Sequence, residues 1–172
     1  MSAPYAGAPL EAAPEGMNGN TPWIWLYIVL PLLSLIPLFF IDFSDFAHAV
    51  AEHPNDLAVQ NEATAALLFQ PAMIVAQVLG WVIIAVTIVL AYLDYREIKR
   101  RGMPQPFHWA FAFLSLAGFG VVYSIGRGVV TKRRLGKGYG ILLAAILSIV
   151  LIVVVVIVWT GILIVQVVTL LA

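Results

Sequence analysis

After Lys137 the chain carries no charged side chain, and residues 141–172 are dominated by Val, Ile and Leu, with Ser148, Trp159, Thr160 and Gln166 as the few polar or amphipathic points. Water cannot solvate an apolar run of this length, and a chain of 172 residues has too small a core to hide it. Lipid accommodates it. As one helix the run reaches about 48 Å, well beyond a hydrocarbon layer of roughly 30 Å. It therefore tilts and projects, or it breaks near Trp159-Thr160-Gly161.

Three more apolar segments precede it, at residues 23–41, 66–93 and 107–125. The composition agrees: 62% hydrophobic and 10% charged residues, against about 45–50% and 25% in soluble domains. The expected fold is an all-α integral membrane protein with four hydrophobic helical segments. Three of them span, and the fourth, 107–125, is interfacial, re-entrant or spanning. Residues 1–22, rich in Ala, Pro and Gly, are expected to form a disordered tail, and 23–172 a single membrane domain. The tail has no positively charged start, so a cleaved secretory signal is not expected.

Segment one opens with Trp23, Trp25 and Tyr27, residue types that gather at membrane interfaces. Its nineteen residues rise about 28 Å as a helix, and Pro31 and Pro37 are expected to kink it. Residues 42–65 form an acidic loop. Asp45, His48, Glu52 and Asp56 are spaced for one helical face, but Pro54 interrupts the pattern and a solvated polar surface is expected rather than a metal site. In segment two, Gln70, Gln77, Gly80 and Thr87 align as a stripe that should face protein, either as helix–helix contact or as the lining of a pore. The segment closes in a run of bases, with Gly102 as its stop.

Charge is distributed unevenly about a net value of zero. The nine bases, Arg96, Lys99, Arg100, Arg101, Arg127, Lys132, Arg133, Arg134 and Lys137, all lie between residues 96 and 137. The first 93 residues carry seven acids and no base. Bases concentrate on the cytoplasmic side of membrane proteins. Segment two thus runs from an outer acidic loop to an inner basic one, and segment one places the tail inside. Segment three is flanked by basic clusters on both sides. The non-spanning reading, with both clusters inside and the C-terminus outside, is preferred; the alternative is a four-helix bundle with both termini inside. Gly136-Lys137 has neither the upstream glycine nor the following Ser or Thr of a phosphate loop.

The strings Asp94-Tyr-Arg-Glu-Ile-Lys-Arg-Arg-Gly102, Pro106-Phe-His-Trp-Ala-Phe-Ala-Phe-Leu114, Val122-Tyr-Ser-Ile-Gly-Arg127 and Lys132-Arg-Arg134, with Asn20-Thr-Pro-Trp-Ile-Trp25, carry a family likeness. Over much of residues 20–140 the chain resembles small actinobacterial multi-span membrane proteins of unknown function. Many of those carry a short Trp-Tyr-x-Asp-Pro module before the first span; the tail here has no Trp before Trp23. The resemblance implies a plasma membrane protein and no particular activity.

No ionisable group sits centrally in a predicted span, and His108 stands at a segment edge, so no catalytic residue is assigned and an enzyme is not expected. No cysteine is present, which excludes thiol chemistry and Cys-based metal sites. No cofactor, metal or nucleic-acid partner is expected. The expected role is a non-catalytic structural or accessory protein of the plasma membrane, multi-pass, with the nine bases as topogenic and lipid-headgroup contacts and with self-association or another membrane protein as partner. The alternative is a subunit of a homo-oligomeric channel or transporter lined by Gln70, Gln77 and Thr87.

Overall fold

A computed structural model describes residues 13–137 and 139–171, and every regular element among them is helical. Six α-helices occur in chain order: α1 Pro22–Val29, α2 Ser44–Glu52, α3 Leu57–Leu68, α4 Pro71–Arg100, α5 Val121–Leu135 and α6 Tyr139–Leu171. Two 3-10 helices join them, Leu30–Phe40 after α1 and Trp109–Ala117 before α5. Three stretches are long and apolar enough to cross a membrane: Pro22–Phe40, Pro71–Arg100 and Tyr139–Thr169. Contacts gather into two compact units. The first joins residues up to Ile28 with Thr87–Ile146, and the second joins Val29–Val86 with the chain from Leu147 onward.

Thr21 begins the first span. Its hydroxyl oxygen accepts the Ile24 N–H at 3.2 Å, and Pro22 occupies the first helical position, where no backbone donor is needed. The expected kinks at Pro31 and Pro37 are replaced by a change of winding. Eleven residues run as a 3-10 helix, long for a form that seldom exceeds a turn or so. Each proline lacks the N–H that an α-helical ladder requires. The tighter winding rises about 2 Å per residue instead of 1.5, so Pro22–Phe40 reaches roughly 34 Å. In the second unit, the Trp159 indole N–H donates to the Leu38 carbonyl at 3.0 Å, giving one part-buried backbone acceptor a partner.

The acidic stretch expected as a loop forms α2 and α3, which pack on each other. Asp56 caps α3 by accepting the Ala58 and Val59 N–H groups. Asp42 accepts the Ser44 N–H at 2.9 Å, which holds its carboxyl below the usual carboxylate range. Asp45, His48, Glu52 and Asp56 are all exposed, and among the described residues no cluster of three or more potential metal-ligating side chains occurs.

Segment two divides at Phe69-Gln70. The spanning helix starts at Pro71 rather than residue 66, and its 30 residues, about 45 Å, carry the first basic cluster on its last turns. Gly102, at φ 89°, ends it as expected. Segment three is no single helix. The 3-10 helix Trp109–Ala117 ends at Gly118, whose left-handed φ of 83° turns the chain back into α5. The result, within the first unit, is a helical hairpin. Trp109 meets the Tyr92 ring on the way out, and Tyr123 returns to the Ala91 carbonyl on the way back. Of the second basic cluster, Arg127, Lys132, Arg133 and Arg134 lie inside α5 and Lys137 just beyond it. α6 runs unbroken through Trp159 and Gly161 over 33 residues, about 50 Å.

Candidate functional site

In the first unit the hairpin closes over an ion pair. Arg127 Nε donates to Asp94 Oδ2 at 2.8 Å, and neither side chain has any exposed surface. Three segments of chain bring the partners together. α4 contributes Asp94, one turn before its exposed bases. α5 contributes Tyr123, Arg127 and Thr131, which repeat every four residues and therefore share one helical face. The strap ahead of α1 contributes Gly19 and Thr21.

Each polar atom of the cluster is occupied. Asp94 Oδ1 accepts the Thr21 hydroxyl, and Oδ2 accepts both Arg127 and the Tyr123 hydroxyl, the latter at 2.8 Å. The Tyr123 oxygen also lies 3.0 Å from the Ala91 carbonyl. The remaining Arg127 nitrogens donate to the Thr131 hydroxyl and to the Gly19 carbonyl, the latter at 2.9 Å, while Thr131 donates to the Arg127 carbonyl at 2.7 Å. Among the described residues no buried side-chain polar atom lacks a partner. An isolated charge moved out of water costs many kcal/mol, so a buried pair persists only with this degree of hydrogen bonding.

Around the pair lie the Tyr27 and Tyr123 rings, 5.1 Å apart, and the Tyr27 hydroxyl donates to the Gly120 carbonyl at the hairpin tip. Below it, Arg101 bonds Glu97 at 2.9 Å and donates to the Asn18 and Asn20 carbonyls. Residues 13–21, read from sequence as part of a disordered tail, are therefore a fastened strap. Composition suggested disorder because the strap has no apolar periodicity; its order comes from backbone carbonyls that two arginines hold. Residues 1–12 of that tail lie outside the described residues.

Of the nine bases assigned to lipid headgroups, Arg127 must be withdrawn, since it is wholly buried against Asp94. Arg101 is half-buried and paired. Six of the other seven are exposed, and Arg134 is half-buried. Lys99 lies over the Tyr95 ring and Lys132 over the Tyr139 ring, and Arg134 donates to Gln105. Arg96, Arg100, Arg133 and Lys137 have no ion-pair or hydrogen-bond partner among the described residues and are open to headgroups or water. His108 caps the second 3-10 helix by accepting the Ala110 N–H and stacks near Tyr95 and Trp109.

Of the stripe of Gln70, Gln77, Gly80 and Thr87, Gln70 alone stands outside α4. Gln70 lies in the bend before α4, where its amide exchanges hydrogen bonds with the Asp42 backbone at 2.8 and 3.3 Å. Pro71 starts the helix too late to include it. Gln77 is exposed, nothing lies within 4 Å of where a Gly80 Cβ would stand, and Thr87 is buried.

The ion pair itself escaped the sequence reading because its partners are 33 residues apart and each sits beside a run of exposed bases. The signal was present: an acid at the junction of an apolar segment and its basic end, and Tyr123, Arg127 and Thr131 at helical spacing. Comparison with protein-family models, with curated proteins and with solved structures finds no match to this chain.

Proposed function

We propose that this chain is a non-catalytic structural or accessory protein of the plasma membrane that holds anionic lipid through a basic inner face. In this reading Pro22–Phe40, Pro71–Arg100 and Tyr139–Thr169 are the spans. The hairpin of Trp109–Ala117 and α5 is re-entrant, entering and leaving on the cytoplasmic side, with Phe111, Phe113, Leu116 and Phe119 exposed to the inner leaflet. Residues 42–70 are outside.

The observation that carries the reading is the division of labour among the bases. Two of the nine are consumed in ion pairs that fasten the strap and the hairpin. The other seven lie on the last turns of α4 and α5 and in the loop after α5, six of them exposed and Arg134 half-buried. Each base near an anionic leaflet adds about 1 kcal/mol of attraction, so a group of seven is a substantial anchor for acidic headgroups. The buried carboxylate has no exposed surface with which to meet a substrate, which favours a fastening role over a chemical one.

The test is lipid retention. The full-length protein, transferred to bilayers of equal phosphatidylcholine and phosphatidylglycerol, is extracted gently and its co-purifying lipids are weighed by native mass spectrometry. The expected outcome is enrichment of phosphatidylglycerol, lost when Arg96, Arg100, Arg133 and Lys137 are changed together to Gln. Retention indifferent to lipid charge, or unchanged in that variant, would refute the proposal.

A further inference from the structure

Gln77 is an exposed carboxamide on a helix long and apolar enough to cross a membrane. Its depth follows from the helix. A hydrocarbon layer of roughly 30 Å takes about 20 residues. Counting back from Leu93, the last residue before the charged end of α4, that layer begins near Met73 and leaves Gln77 about 6 Å inside it. An amide at this depth meets acyl chains, which neither donate nor accept, and a polar group in such surroundings is costly without a partner. No hydrogen bond to Gln77 occurs among the described residues.

We propose that a second copy of this chain packs on the α4 face of Ile74, Gln77 and Trp81, with the two Gln77 amides hydrogen-bonded to each other across a two-fold axis. This rests on the membrane-spanning reading of α4 given above, and it names the partner that the reading left open. Ile74, Gln77 and Trp81 follow one another at three- and four-residue spacing, the pattern of a helix–helix seam, and all three are exposed. Gly80 borders the seam, and open space beyond it lets a second backbone approach closely. The choice of a second copy comes from the amide. It carries donors and an acceptor in one group and is therefore complementary to itself. A two-fold axis in the membrane normal places the identical group at the identical depth. A lipid chain offers neither. A single polar position in an otherwise apolar seam fixes register, which suits a defined dimer rather than loose clustering.

The chain has no cysteine, so single-cysteine variants report one position at a time. Ile74 and Val75 are similarly exposed, at 45% and 57%, but Val75 lies about 100° round α4 from Ile74 and about 160° from Gln77. Oxidative cross-linking in native membranes is expected to give a covalent dimer with Ile74→Cys and several-fold less with Val75→Cys. In mild detergent, intact mass should show a dimer that Gln77→Leu weakens about tenfold and Gln77→Asn weakens less, as expected for loss of a hydrogen bond between membrane helices. A monomer with Gln77 bending toward the outer interface, a complex with a different protein at this face, a ring of more than two copies, or equal cross-linking at both positions would each overturn the proposal. A monomer that still retains anionic lipid would separate this failure from that of the function proposed above.

Discussion

Asp94 and Arg127 are the residues on which the first unit depends. Removing one partner of a buried pair leaves the other charged and unsolvated, at a cost of about 3–5 kcal/mol. Arg127→Ala and Asp94→Leu should each show that loss in thermal unfolding in detergent. The double variant Asp94→Leu, Arg127→Met should recover most of it, because no charge is then stranded. Arg127→Lys should rescue poorly. A single ammonium cannot reach Asp94, Thr131 and the Gly19 carbonyl in the fixed directions that the guanidinium supplies. Gly19 tests the strap. A Cβ there would stand 2.5 Å from the Thr131 methyl and 2.7 Å from a Leu135 methyl. Thr131 cannot swing aside without breaking its bonds to Arg127. Gly19→Ala should therefore destabilise by about 1–3 kcal/mol and raise proteolytic cleavage within residues 13–21; unchanged cleavage would contradict the fastened strap. None of this was legible residue by residue, because a pairing between distant residues leaves no local periodicity. Only the helical spacing of Tyr123, Arg127 and Thr131 marked it.

At the scale of elements, three of the four apolar segments give stretches long and apolar enough to cross a membrane, and the segment at 107–125 is divided between a 3-10 helix and α5. Those three stretches were readable because hydrocarbon thickness sets a length and runs of Val, Ile and Leu fill it. Their ends were less readable. α4 begins at Pro71 because proline suits the first helical position, a local rule that outweighs the apolar character of residues 66–70. The acidic stretch was taken for a loop because its helices are short and polar; only the Asp56 cap announced α3. Two glycines lie within α5. Gly126 lies under the Phe107 ring and Gly128 against the Leu142 backbone, so both serve close packing inside a helix rather than a break. Gly118 is different. Its left-handed φ makes the hairpin turn, and a Cβ would meet open space. Gly118→Ala should cost about 1 kcal/mol through backbone strain alone, read as a lower unfolding midpoint with lipid retention intact.

For the whole molecule, the proposed function takes the sides of the membrane from charge. In sequence the bases fall into two clusters, and the role of the second depends on whether segment three crosses. A hairpin that leaves from His108 and returns through Tyr123 to the level of Asp94 brings both clusters to one end of α4 and α5. That arrangement, locked by the Asp94–Arg127 pair, is the central claim. Its most direct measurement is labelling of single-cysteine variants in intact cells with a membrane-impermeant maleimide, with Arg133→Cys as the position of interest, Arg100→Cys as the inner reference and Glu62→Cys as the outer one. Arg133→Cys is predicted to behave as Arg100→Cys does, protected in intact cells and labelled only after permeabilisation, while Glu62→Cys labels at once. Labelling of Arg133→Cys from outside, alongside Glu62→Cys, would contradict the re-entrant hairpin.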